Sequence, residues 1–507
     1  MSPLPLDVDL LALHERFPDR YPVLLESVSG ADALGRTDLL FALPGARLLQ
    51  QPDGSLAGDA PFERGARFLD ALDAWGKWGH SEFPDKWGHS EFTSPSLEKK
   101  GRAASQVGEK WGHSEIPASA TAEKTGDSEA PKSGVSPISR KFGVSPFSSG
   151  WFLYLGYELA EEVEPTVHLP HSTLPRAVAW RMEGVVQRDR ASGEVSVRAG
   201  SSELQARLSA QLQQDVALLA EADARVAPAT LALEVTEQDP RPFIAGVQQV
   251  LEAIARGDVY QANLSRAWRA SLAPGATAVD LYRALRSANP APFAGIAALG
   301  DFTVLSSSPE RLLELRNGIA STRPIAGTRP RGHDAVADAA LKHELRLNEK
   351  EQAEHVMLVD LERNDLGRIC RGGTVEVDEY MTIETYATVH HIVSNVRGEL
   401  RDDVTPGRAI AAVFPGGTIT GCPKVRCMQL LADLEGGPRG AYTGSLGYLD
   451  ASGDLDLNIL IRTLTLLDGE IVFRTGAGIV ADSRPEAELA ETRAKAHGIL
   501  RALGEVT

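Results

Sequence analysis

The sequence is short of several things, and each shortage excludes a class of protein. Only three of its 507 residues are cysteine: Cys370, Cys422 and Cys427. They make neither a set of pairs nor a CxxC ligand spacing, which excludes a disulfide scaffold and favours a reducing compartment. No apolar run approaches the roughly 18 residues of a membrane span. The N-terminus, MSPLPLDVDLLALHERFPDR, lacks the basic and apolar regions of a secretory signal, so a cytoplasmic protein is expected. Positive charge is scarce: 52 Lys and Arg face 69 Asp and Glu, a formal balance of −17. That argues against nucleic acid as the main ligand but leaves room for a small anion in a local positive pocket. With 43% hydrophobic and 24% charged residues, the rest is ordinary globular composition, long enough for more than one domain's worth of core.

One segment stands apart. From 76 to 148 the chain is rich in Ser, Lys, Gly and Pro and repeats itself irregularly, as KWGHSEF twice and then KWGHSEI. Such a composition buries too little apolar area to offset chain entropy, so a disordered insertion is expected. His80, His89 and His113 within it lack a Cys or carboxylate at a ligand spacing. Residues 1–75 and 149–230 read as two halves of one N-terminal region, with a connecting helix from Ser202 to Arg225. A third region, 236–505, opens with a helix after Asp239-Pro240, carrying Phe243, Val247, Val250, Leu251 and Ile254 on one face. VYQANLSRAWRASL follows as a strand, and two β-rich runs meeting at Asp468-Gly469 predict a hairpin. Helices and strands mix without βαβ alternation, which favours α+β or a mixed sandwich over a doubly wound sheet.

The last helix is the most informative. SRPE at 483–486 has the form of a capping box, with Ser483 as N-cap. Glu488, Glu491 and Lys495 then share one face. Alone, these are a solvated Glu–Lys array worth a few tenths of a kcal/mol. Just before them, RTGAGIVADS offers Gly476 and Gly478, whose backbone can bend closely around a ligand and accept a carboxylate. A second helix, LRLNEKEQAEHVMLVDLERNDLGR, aligns Glu351, Glu354, His355, Leu358 and Glu362. Carboxylates on two helices suit Mg²⁺, which keeps several waters and leaves room for an acidic substrate. FPGGTITGCPKVR adds Thr418, Thr420 and Lys424 on a Gly-rich loop whose spacing is not that of a P-loop. TRPIAGTRPRG, 322–332, reads as a substrate loop with Gly327, Thr328 and two arginines around a chemically inert Ala326.

Together with GDVYQANLS, SSSPERLLEL, YATVHHIVS, LIRTL and GAGIVADSRPEAELAETRAKA, these motifs resemble the chorismate-utilising enzymes, in particular component I of aminodeoxychorismate synthase or anthranilate synthase. They stand in the family's order from Asp239 to Leu503, and LLES and GWFLYLGYELA extend the match before the insertion. The resemblance implies a two-sheet α/β sandwich with 236–505 as the chorismate-binding domain. It implies Mg²⁺ held by Glu354 and Glu491, with Glu488 beside them. Lys495 and the backbone at Gly476, Ala477 and Gly478 would take the ring carboxylate. Arg462 and Tyr442 would clamp the enolpyruvyl carboxylate, since a planar guanidinium binds both oxygens at once. Gly327, Thr328 and Thr418 would line the pocket, Glu310 would be the general acid, and His391 the second catalytic group. Ser27, in LLES, is the position of a tryptophan site in such proteins. The implied reactants are chorismate and ammonia. No cysteine sits in a G-x-C-x-G nucleophile turn, so a separate glutamine amidotransferase subunit is expected.

Within the resemblance the motifs divide. YQANLS, SPERLLEL and FPGGTITG are similar to aminodeoxychorismate synthase, whereas PIAGT is similar to anthranilate synthase. Aminodeoxychorismate synthases often carry Lys at the position of Ala326, as do relatives that add water. Ala326 therefore argues against the water users and leaves both ammonia users open. A non-catalytic homologue that binds chorismate or tryptophan is a third reading, against which the intact carboxylates, Arg462 and Lys495 weigh.

Overall fold

The computed structural model describes residues 8–28, 37–76, 147–221, 225–386 and 389–505. Its strands pair antiparallel and join into one continuous run. One limb passes through Gln261–Leu272, Glu470–Ile479, Thr463–Leu467, Phe302–Ser308, Phe293–Ala298 and Val23–Glu26. Thr37–Gln50 and Ala177–Asp189 carry the run over. The second limb returns through Gly150–Leu155, Ser445–Asp450, Leu455–Asn458, Arg311–Arg316, Ile319–Arg323 and Val389–Glu399. Among the described residues no pairing joins Val389–Glu399 back to Gln261–Leu272, so the run is open at its ends rather than a closed barrel.

The two limbs face each other as the layers of a sandwich. Tyr154 of the second limb meets Phe302 of the first with ring centroids 5.4 Å apart, and Phe41, Phe147, Phe152 and Tyr448 fill the space around them. Aromatic side chains bury large areas and prefer such edge-to-face contacts. Helices cover the outer faces. Leu10–Arg16, Ser202–Glu221, Ala278–Ala288 and Pro485–Ala502 cover the first limb. Phe68–Gly76 and Pro406–Val413 cover the second. This is the mixed α/β, largely antiparallel sandwich expected. The sheet crosses the boundary drawn near residue 230: Val23–Glu26 pairs with Phe293–Ala298, and Gly150–Leu155 with Ser445–Asp450.

The insertion is bounded by structure. Trp75, near the end of the helix Phe68–Gly76, packs edge-on to Trp151 at 5.6 Å. Phe147, placed inside the insertion by composition, is fully buried, so the core resumes before Ser149. Residues 77–146, with the repeats and the three histidines, lie outside the described residues.

Local expectations fare unevenly. Asp239 caps Pro240–Ala255 by accepting from Arg241 N at 3.0 Å, and Phe243, Val247 and Val250 are its buried face. The hairpin turns at Asp468 and Gly469 with φ of 51° and 80°, the left-handed pair such a turn requires. The helix from Leu345 onward is broken: Asn348 ends Ala335–Leu347 and caps Glu349–Gly367 through Glu351 N. Ser483 is not the N-cap of the last helix. Arg484 holds that place without a side-chain bond, while Ser483 Oγ accepts from Val480 N at 3.1 Å. TRPIAGTRPRG is no free loop either, since Ile325–Pro330 is a strand on Val389–Glu399, bulged at Gly327. Its arginines are engaged by protein: Arg329 with Glu344 and Glu351, Arg331 with Asp338.

Candidate active site

Glu310 stands at the entry to Arg311–Arg316, in the sandwich interior, and is buried. Thr418 Oγ1 donates to its Oε1 at 2.7 Å. Burial pushes the Glu310 carboxyl up to about 7, against the Thr418 bond and the positive charges of Lys495 and Arg462. A carboxyl poised there is neutral enough to give a proton and acidic enough to do so. Tyr442 and the buried Glu362 also lie within electrostatic reach of it.

Arg462 occupies the left-handed backbone region, φ 51°, and donates to Asn289 Oδ1 at 3.1 Å. Burial weakens its charged form and only Glu310 supports it. No carboxylate lies within ion-pair distance of it among the described residues, although most of the arginines are paired. A half-buried guanidinium so placed favours an anionic ligand.

The glycines of GAG serve a second purpose. A methyl group on Gly476 would lie 2.5 Å from Asn263 Oδ1 and 2.8 Å from the Tyr442 hydroxyl, and one on Gly478 would lie 2.5 Å from Gln261 Nε2. Bare glycine on Glu470–Ile479 thus makes room for two amide side chains of the neighbouring strand, with Ala477 buried between. Asn263 Oδ1 is buried without a partner. Lys495 Nζ bonds Gly476 O at 3.1 Å and Glu491 at 2.8 Å. Glu491 and Lys495 are 46% and 44% exposed, so the site opens to solvent at this end and closes at Glu310.

Glu354 accepts from Gln261 Nε2 at 3.0 Å. Burial raises its carboxyl, as do the negative charges of Glu351 and Glu491, while Lys495 opposes them. Burial and Glu491 likewise raise Glu488, which is bonded to Ser483. Glu354 and Glu491 are therefore within electrostatic reach of each other. Among the described residues no three His, Cys, Asp or Glu side chains gather into a ready-made metal cage. Two hard carboxylates with open sides do fit an ion that keeps most of its water.

His391 completes the far wall. Its Nδ1 lies 3.0 Å from Thr328 Oγ1 and 3.3 Å from Gly327 O. Nε2 is buried with no partner. Burial, helped by Arg462, pulls the imidazole down to about 4, so it is neutral. Gly327, φ 62°, has Leu345 Cδ1 and Glu351 Oε2 where a Cβ would go. Ala326 is buried opposite Ile392.

The structure thus brings together Glu310, Thr418, Arg462, Tyr442, the GAG strand, Lys495, Glu354, Glu488, Glu491, Thr328 and His391. Ser27 is elsewhere: its N–H bonds Asp38 at 3.1 Å and its hydroxyl is buried without a partner. Lys424 is engaged by Asp365 and Val413 O at 2.6 and 3.0 Å. Gln261 and Asn263 were not singled out from sequence. Their two-residue spacing in YQANLS, which sends both to one side of a strand, was the available signal.

The site thus has a carboxylic acid, Glu310, at its buried end and the cationic side chains of Arg462 and Lys495 within electrostatic reach of it. Residues 81–501 match the family model for chorismate binding enzyme, and the chain belongs to that family. It is 43% identical over 362 residues to an anthranilate synthase component I-like protein of Synechocystis, covering 71% of this chain and 73% of that one. It is 49% identical over 261 residues to aminodeoxychorismate synthase component 1 of Bacillus subtilis, covering 52% and 55%. Anthranilate synthase component I of Streptococcus pneumoniae superposes with a TM-score of 0.71 at 28% identity, covering 92% of each chain. The menaquinone-specific isochorismate synthase of Escherichia coli shares the fold, with a TM-score of 0.55 at 20% identity, 71% and 90% covered. The chain is a chorismate-utilising enzyme of the anthranilate synthase and aminodeoxychorismate synthase type.

Proposed function

We propose that the chain converts chorismate and ammonia to 4-amino-4-deoxychorismate, as aminodeoxychorismate synthase component I. The observation that carries this reading is a bonded line through the three motifs that favour it. Asn263 Nδ2 of YQANLS reaches Thr418 O at 3.5 Å, and Thr418 of FPGGTITG holds Glu310 of SPER. The B. subtilis relative, at 49% identity, carries that name.

In this reading Arg462 and Tyr442 clamp the enolpyruvyl carboxylate, while Lys495 and the Gly476–Gly478 backbone receive the ring carboxylate. Glu354 and Glu491 would hold Mg²⁺, which supplies positive charge for the ring carboxylate when bound. Glu310 gives its proton to the C4 hydroxyl, which leaves as water, and the nitrogen of ammonia becomes bonded to the ring. Hydroxide is a poor leaving group, and a positioned acid is worth about 10²–10⁴ in rate. Neutral His391 presents Nε2 to take a proton. Ammonia would come from a glutamine amidotransferase subunit.

Ala326 and the names of several relatives favour a second reading, anthranilate synthase component I. Without a lysine to occupy C2, ammonia can enter there, and loss of pyruvate gives anthranilate. Incubating the chain with chorismate, Mg²⁺ and ammonium and identifying the product by mass spectrometry separates the two.

A further inference from the structure

Beneath the site lies a guanidinium that the chemistry above does not use. Arg439 is buried and spends all five of its N–H donors on protein. Nε and Nη2 bond the two oxygens of Glu435 at 2.9 and 2.7 Å. Nη2 also bonds Asn263 O at 2.7 Å, and Nη1 bonds Ile419 O at 3.2 Å and Thr443 Oγ1 at 3.1 Å. The last three acceptors stand beside site residues. Asn263 shares a strand with Gln261, which binds Glu354; Ile419 follows Thr418; Thr443 follows Tyr442. The Tyr442 ring centre is 5.6 Å from the guanidinium carbon. Thr443 is in the left-handed region, φ 62°, a backbone state that its surroundings must hold in place.

Neutralising Glu435 is a role that Arg439 shares. Arg474 already reaches that carboxylate at 3.2 Å, and Ser265 gives it N–H and O–H bonds at 2.8 Å each. What Arg439 adds is the tie between three separate stretches of chain. We propose that Arg439 is a positioning residue, setting Thr418 against Glu310 and Tyr442 against the Gly476 wall through one shared cation. The inference rests on the reading of Glu310 as the acid. A lysine cannot replace it, because one ammonium with three donors cannot span these acceptors.

The test is Arg439→Lys in the full chain, assayed with chorismate, Mg²⁺ and ammonium across pH. A loosened Thr418 would no longer favour the Glu310 carboxylate, so the alkaline limb of kcat moves up by about half a pH unit or more. Thr418, Lys495, Arg462, Tyr442 and Glu362 face Glu310, and none of them is altered in this variant. We expect kcat to fall about tenfold or more, as misplaced catalytic groups do. Thr418→Val should move the limb in the same direction, and the double variant should move it no further. A folded Arg439→Lys protein with the original limb and kcat, or one that loses only melting temperature, would overturn the proposal. If that variant does not fold, Thr443→Val removes one acceptor and should give a smaller shift of the same sign; an unmoved limb there also overturns it. Glu310→Gln in parallel separates the two ideas. If it stays active the acid reading fails, while non-additivity of Arg439→Lys and Thr418→Val in kcat still judges the positioning.

Discussion

Thr418 donates its hydroxyl to Glu310 at 2.7 Å, joining residues 108 positions apart in the chain. The bond favours the carboxylate, yet burial outweighs it and leaves the group near neutrality, at about 7. The working form of an acid is the protonated one. Activity should therefore be full below this value and fall as pH rises through it. Glu310→Gln should cost about 10²–10⁴ in kcat with substrate binding largely kept. A flat kcat profile from pH 6 to 9 would remove Glu310 from this role.

The carboxylates at the open end lead to a second expectation. Glu354 is raised by burial and by Glu351 and Glu491, so it lacks cationic charge when only Lys495 stands near. Chelation of Mg²⁺ should abolish turnover. Glu354→Ala or Glu491→Ala should cost at least ~10³ in rate, several kcal/mol of transition-state stabilisation. Turnover in EDTA, or near-normal rates in both variants, would refute the metal assignment.

Phe147 marks where the insertion must end. A deletion of residues 80–141 should keep melting temperature and ammonia-dependent activity, because Trp75 and Trp151 already bring the flanks together at 5.6 Å. By contrast Phe147→Ala, which empties a fully buried site beside Phe41 and Tyr448, should cost about 3–5 kcal/mol. Thermal unfolding of the two variants checks both statements. A destabilised deletion with a tolerated Phe147→Ala would reverse the boundary.

The sequence carried the helical faces and the hairpin legibly, because apolar spacing and turn residues act locally. Phe243, Val247 and Val250 are buried as their spacing requires, and Asp468-Gly469 makes its turn. Asn348 was hidden because a cap inside a polar run resembles any other helical asparagine. Ser483 misled in the other direction: its hydroxyl serves Val480 N instead of the helix. The site motifs were legible through resemblance, while the bonds between them were not. Nothing local in QANLS shows that Gln261 will hold Glu354 or that Asn263 will crowd Gly476. The first contact joins residues 93 positions apart, and the second depends on a pairing of Gln261–Leu272 with the distant strand Glu470–Ile479.

Ala326 bears on a further variant. It is buried on the strand Ile325–Pro330, paired with Ile392, the neighbour of His391. Ala326→Lys should keep the C4-aminated product and permit a covalent adduct between Nζ and the substrate ring. Intact-protein mass spectrometry after borate-free acid quench would detect it. A switch of product to anthranilate in this variant would contradict the reading.

Pyruvate released per chorismate consumed tests the central claim most directly. Amination at C4 leaves the enolpyruvyl group in place, whereas anthranilate formation expels it. With purified chain, chorismate, Mg²⁺ and ammonium, the account predicts chorismate loss with essentially no pyruvate. One pyruvate for each chorismate, with anthranilate fluorescence rising in step, would contradict it.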